Sequence, residues 1–139
     1  MNPINPPSIF YLQKSLQIRI KIFGKNNIDT ACTYNNLGLA FLEYNKFDES
    51  LEHLTMGLKV RINLLGIDHI VTSTSYLNLG NLCLKINKKE EALITKQKKT
   101  TPNRGSFYID IITIKSPTFK RMLTQIAVVI ANIIGNFFS

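Results

Sequence analysis

Few residues in this chain of 139 are of a type and spacing that would support chemistry. His53 and His69 are the only histidines, and neither has metal-ligand spacing to the other or to a cysteine. A lone histidine, without a nucleophile, an orienting carboxylate or an oxyanion donor, is not a catalytic site. His69 follows Asp68 between two apolar stretches and reads as a packing or capping residue. Cys32 and Cys83 fall on helical positions and read as small hydrophobes. The carboxylates at Glu49 and Glu52, and at Glu90 and Glu91, lie where second helices of a pair would begin. There negative charge complements the helix macrodipole. No glycine-rich phosphate loop, nucleophile elbow or zinc motif is present in the sequence. Nothing here argues for an enzyme, a metal, a cofactor or a small-molecule substrate.

The net charge of +8 suggests nucleic acid until it is mapped along the chain. Residues 1–84 carry 7 basic and 6 acidic side chains, whereas residues 85–139 carry 10 and 3. The excess sits mostly in 85–121, where Lys85, Lys88, Lys89, Lys96, Lys98, Lys99 and Arg104 precede Phe107 and Tyr108. That run could meet the phosphates of a nucleic acid, with the two aromatics as stacking groups, or an anionic membrane. A solvated helix end running into a linker explains the same charge, and so does an acidic peptide partner. Hydrophobic residues make up 45% of the chain, enough for a core. Two cysteines make no disulfide framework, and no secretory signal precedes them. A reducing compartment, most simply the cytoplasm, is expected.

The elements that would position such residues emerge from internal repetition. A shift of 42 positions aligns residues 10–51 with 52–93, and sixteen pairs are identical. Among them are Leu16/Leu58, Arg19/Arg61, Gly24/Gly66, Tyr34/Tyr76, Asn36/Asn78, Leu37/Leu79, Gly38/Gly80, Leu42/Leu84 and Leu51/Leu93. Tyr34, Leu37, Phe41 and Tyr44 recur at spacings of three and four, as do Leu51, Leu54, Leu58 and Ile62. Such spacing draws one apolar stripe on a helix, not the alternation of a strand. The chain is therefore expected to be all-α, with two helices per repeat. Turns at Asn45–Lys46 and at its copy Asn87–Lys88 would separate the helices of each pair. Helices are expected near 8–23, 29–44, 47–65, 70–86 and 89–100.

Gly24 and Gly66 sit just past second helices, where a positive φ is cheapest for glycine. Asp29 or Thr30, and Asp68, are placed to cap the helices that follow. Gly38 and Gly80 fall inside first helices, at a cost of about 1 kcal/mol each relative to alanine. Their repetition suggests another helix too close for a Cβ. Ser15, Ser50, Gly57 and Ala92 would supply the matching small residues.

These residues resemble the tetratricopeptide repeat, which places an aromatic, Leu-Gly and an aromatic on its first helix. Tyr34, Leu37, Gly38, Phe41, Ser50, Leu54 and Gly57 match one repeat. Tyr76, Leu79, Gly80 and Ala92 match the next, with Cys83 for the second aromatic; Ser8, Leu12 and Ser15 match a preceding half repeat. The 42-residue period, with Tyr-Asn-Asn-Leu-Gly-Leu-Ala at 34–40 and Leu-Gly-Ile-Asp-His at 65–69, is similar to the kinesin light chain subclass. Departures are Ile70 where that subclass has proline, and Lys96 and Lys99 where apolar and small residues are expected.

The resemblance implies a stack of helix pairs, here a half repeat 8–23 and repeats 29–65 and 70–100, with a disordered N-terminus at 1–7. It further implies a binding module for an extended or short helical peptide along the concave side. By register Asn35, Leu39, Leu42, Glu43, Leu77, Asn81, Leu84 and Lys85 line that groove. After a linker at 101–117, the segment 118–139 is apolar, and its 17 residues from Met122 to Phe138 are near the lower limit for spanning a bilayer. A capping helix over the last repeat is the simplest expectation, and a membrane anchor the second. A chain that starts inside a repeat and loses the pattern near residue 95 also has the look of a fragment.

Overall fold

A computed structural model describes residues 6–98 together with Arg121, Thr124, Ala127 and Val128. Among these residues there are helices and no strands. The helices are α1 (Pro7–Phe23), α2 (Ile28–Glu43), α3 (Phe47–Leu65) and α4 (Ile70–Lys98). Short connections force neighbours to pack antiparallel, so α1 lies on α2, α2 on α3, α3 on α4, with α2 also reaching α4. The expected all-α stack of helix pairs is the observed architecture. Residues 1–5 and 99–120, including the expected 101–117 linker, lie outside the described residues.

Burial follows the stripes read from the sequence. Ile9 and Leu16 of α1 pack with Tyr34, Leu37 and Phe41 of α2. Leu51, Leu54, Leu58 and Ile62 of α3 pack with Leu79, Leu82 and Ile86 of α4. Each helix thus buries one stripe against its predecessor or its successor, as quasi-linear stacks require.

The 42-residue period reappears as pairs of equivalent hydrogen bonds at the linkers. The amides of Gly24 and Gly66 donate to Ile20 and Ile62 carbonyls at 2.9 Å each. Both glycines have φ between 82° and 89° with extended ψ, a region that side chains do not tolerate. Thr30 and Thr72 hydroxyls then donate to the carbonyls of Gly24 and Gly66, at 2.9 and 2.8 Å. Arg19 and Arg61 guanidiniums reach the carbonyls of Asp29 and Val71, at 2.9 and 3.3 Å. The caps, Asn27 and the expected capping candidate His69, are themselves 42 apart. Asn27 Oδ1 accepts from the Asp29 amide at 2.8 Å, and His69 Nδ1 from the Val71 amide at 3.1 Å. Asp29, Thr30 and Asp68 do not cap, because the residue that turns back over the first amides lies just outside the helix.

The α2–α3 pair is tight for the reason its glycines suggest. A Cβ on Gly38 would stand 2.7 Å from Leu54 Cγ, and one on Gly57 would stand 3.0 Å from the Ala31 carbonyl. The Ser50 hydroxyl donates to the Gly38 carbonyl at 2.7 Å, across the same contact.

Two expectations fail at the second repeat, and for one cause. The chain turns at Asn45, with φ +58°, so that Phe47 packs back against the core. At the copy, Asn87–Lys88, there is no turn, and α4 runs on as a single helix of 29 residues. Phe47 is replaced there by Lys89, which has nothing apolar to bury beyond a turn, and Lys-Lys-Glu-Glu-Ala-Leu favours continued helix. Lys89 instead holds its ammonium 4.9 Å from the Phe47 ring centroid. Glu90 and Glu91 consequently lie within a helix and not at a helix start. Gly80, in turn, has no neighbour among the described residues within 4 Å of where a Cβ would be. The second helix that would approach it does not fold back.

Candidate functional site

The face shared by α2 and α4 is built from residues one repeat apart. Asn36, Leu39 and Glu43 follow one another at helical spacing on α2, and Asn78, Asn81 and Lys85 are their 42-residue equivalents on α4. Asn36, Glu43 and Asn81 are exposed, while Leu39, Asn78 and Lys85 are half-buried. Two bonds fix the spacing of the helices beneath this strip. Asn78 Nδ2 donates to Asn35 Oδ1 at 2.9 Å, and Lys85 Nζ donates to the Leu42 carbonyl at 2.8 Å. The Lys85 charge is thereby held at the C-terminal end of α2, where the helix dipole favours a cation.

The eight residues expected to line a groove divide into three groups. Leu39, Glu43, Asn81 and Lys85 are brought together on this strip. Asn35 and Leu42 are buried, at 7% and 8% exposure, the first spent on Asn78 and the second in the core. Leu77 and Leu84 are their equivalents on α4 and stand 63% and 60% exposed. In the first repeat that position is covered by the next first helix, and among the described residues no further first helix covers Leu77 and Leu84. The strip also contains Asn36 and Asn78, which register reasoning passed over. Their identity in the self-alignment was the signal available.

Residues weighed for chemistry have structural partners. His53 Nδ1 lies 2.8 Å from the Glu49 carbonyl, and its ring packs on Phe41 with centroids 5.1 Å apart. Burial pushes the Cys83 thiol up, away from the reactive thiolate. Burial likewise raises Tyr34, with the Glu52 charge adding to it, and raises Tyr76. Among the described residues no three of His, Cys, Asp and Glu converge to hold a metal. An open cleft of about 590 Å³ is lined by Asp48, Leu51, Glu52 and Thr55 of α3 and by Arg121, Thr124 and Val128. Arg121 pairs with Asp48 across it at 2.7 Å. These described C-terminal residues lie over α3, while most of 118–139 falls outside the described residues. Among the described residues no helix is long and apolar enough to cross a membrane.

A family model for the tetratricopeptide repeat matches residues 8–63. That span covers α1, α2 and nearly all of α3, the helices carrying the tight Gly38–Leu54 contact. Residues 8–63 belong to the tetratricopeptide repeat family. No match to the chain is found among curated proteins. In tetratricopeptide terms α1 is the second helix of one repeat, α2 and α3 form the next, and α4 opens a third. Tetratricopeptide repeats generally mediate contact between proteins. The α2–α4 strip is the surface formed by successive first helices.

Proposed function

We propose that this chain is a non-catalytic interaction module that holds a peptide segment of a protein partner along the α2–α4 strip. The observation that carries the reading is the register match of Asn36, Leu39 and Glu43 with Asn78, Asn81 and Lys85. The side-chain amides of Asn36 and Asn81, both exposed on the strip, can donate to and accept from an extended or helical backbone, whatever its sequence. Glu43 and Lys85, of opposite charge at equivalent positions, would orient the peptide. The 42-residue period and the Leu65–His69 sequence, whose histidine caps α4, support the kinesin light chain-like subclass. An adaptor role in the cytoplasm fits that subclass.

The test is selection of peptides from a random display library on the immobilised full chain, followed by affinity measurement by fluorescence anisotropy. Asn36→Ala with Asn81→Ala should weaken the selected peptides by about thirtyfold, each amide bond contributing roughly 1 kcal/mol. Peptides that bind the double variant unchanged would refute the strip. If the chain instead takes an oligonucleotide with a steep loss in salt, the basic 85–121 region is the functional surface.

A further inference from the structure

The ends of the stack are complementary to each other. Helix α1 is a second helix whose first-helix-facing side is open, and α4 is a first helix whose second-helix-facing side is open. On α3 that side carries Ser50, Leu54 and Gly57, all buried against α2. On α1 the equivalents are Ser8, Leu12 and Ser15, with Ser8 exposed and the other two half-buried. On α4 the receiving Gly80 is exposed, with nothing among the described residues within 4 Å of a Cβ position.

We infer that the chain associates head to tail with a second copy, α1 of one molecule packing on α4 of the next as α3 packs on α2. In that register Leu12 enters above Gly80 as Leu54 enters above Gly38, and the Ser8 hydroxyl meets the Gly80 carbonyl as Ser50 meets that of Gly38. The ring cluster stays filled. His53, lying between Tyr34 and Phe41, becomes the larger Tyr11, while Phe41 becomes the smaller Cys83 and Tyr34 becomes Tyr76. The exposure of Tyr11, 63%, is what such a contact would remove. Ser15 departs from the pattern by placing a Cβ where Gly57 has none. The helices sit slightly wider there, and its hydroxyl gains the Ser73 carbonyl as acceptor.

The chain's own sequence at the next second-helix register is unsuited to the same place. It has Lys96 at the Leu54 position and Lys99 at the Gly57 position, an ammonium for the buried knob and a long side chain at the closest approach. A second copy supplies Leu12 and Ser15 instead. Because the two surfaces differ, the contact is heterologous, and repetition builds a ring or an open superhelix.

Sedimentation velocity of the full chain, from dilute to high concentration, tests this. The average mass should rise with concentration. Gly80→Ala puts a methyl group into the space Leu12 needs, and should weaken association about tenfold or more while leaving helicity intact. Leu12→Ala should do the same by removing the knob. In a Cys32→Ser background, Tyr11→Cys should cross-link to native Cys83 under oxidation and give a ladder of multimers. Helices α1 and α4 make no close contact within one molecule, so an internal disulfide cannot account for the product. A chain that stays monomeric without a ladder, as when its own C-terminal segment covers α4, would overturn the inference. So would association indifferent to Gly80→Ala.

Discussion

The two repeated glycines make opposite predictions, although they occupy equivalent positions on equivalent helices. At Gly38 an added methyl group would stand 2.7 Å from Leu54 Cγ, 2.9 Å from its Cδ2 and 3.0 Å from its backbone nitrogen. Leu54 is fully buried and cannot swing aside, and the backbone contact means that α2 and α3 themselves must separate. Overpacking of this kind costs at the upper end of about 1–3 kcal/mol. Alanine returns about 1 kcal/mol through helix propensity, which leaves Gly38→Ala destabilised by roughly 2 kcal/mol. The widened pair also stretches the Ser50–Gly38 hydrogen bond, now 2.7 Å. At Gly80 there is open space, so only the propensity gain remains, about 1 kcal/mol of stabilisation. Thermal and urea unfolding at high dilution, followed by circular dichroism, would read both. For a domain of this size each kcal/mol moves the midpoint by about 4–8 °C, so the variants should fall on opposite sides of the parent. A neutral or stabilised Gly38→Ala would refute the close approach of α2 and α3. Destabilisation by Gly80→Ala in the monomer would mean that α4 is covered within its own molecule.

Two further predictions use the same comparison of equivalents and one titration. Arg61 is buried, bonded to Ser75 Oγ at 2.6 Å and to Val71 O, whereas Arg19 is partly exposed and shares Asp29 with solvent. Arg61→Ala should cost about 2–3 kcal/mol and Arg19→Ala under about 1 kcal/mol in urea unfolding; equal costs would contradict the difference in burial. Tyr34 holds its proton more tightly folded than unfolded, chiefly through burial. Above pH about 10 the unfolded chain therefore loses that proton first, and stability falls as pH rises. Tyr34→Phe should reduce that slope in urea titrations across the alkaline range, and an unchanged slope would count against it.

Much of the fold was legible because repetition repeats its errors and its signals together. The stripes of α2 and α3, the positive-φ glycines and the tight Gly38 contact all follow from residue type and spacing. The cap of α2 was placed two residues late, since Asn27 and Asp29 are both chemically suited and only the backbone path separates them, whereas His69, read as a packing or capping residue, does cap α4. The turn expected after Ile86 is absent for a subtler reason. Asn87–Lys88 repeats Asn45–Lys46 in letters, but the turn is held by what lies beyond it. Phe47 has a core to return to, and Lys89 does not. In the same way Tyr44 is 49% exposed at the end of α2, while Ile86 at the equivalent place is 1% exposed inside a helix that continues.

The candidate strip was half legible, and the reason lies in what a stacked architecture makes of a register. Position along a helix fixes which way a residue points, but the neighbour present on that side decides whether it meets solvent, core or partner. Asn35 and Leu77 occupy the same position, yet one is bonded to Asn78 beneath the next helix and the other stands bare. Arg19 and Arg61 differ for the same reason: they bond equivalent carbonyls, those of Asp29 and Val71, but only Arg61 also reaches the helix before its own, at Cys32 Sγ of α2. Function on such a surface belongs to pairs of repeats, not to single residues. A residue that binds in the middle of a stack becomes a docking residue at its end, which is why the strip and the open faces of α1 and α4 are separable by substitution. Asn81→Ala should disturb peptide and leave association alone, while Leu12→Ala should do the reverse.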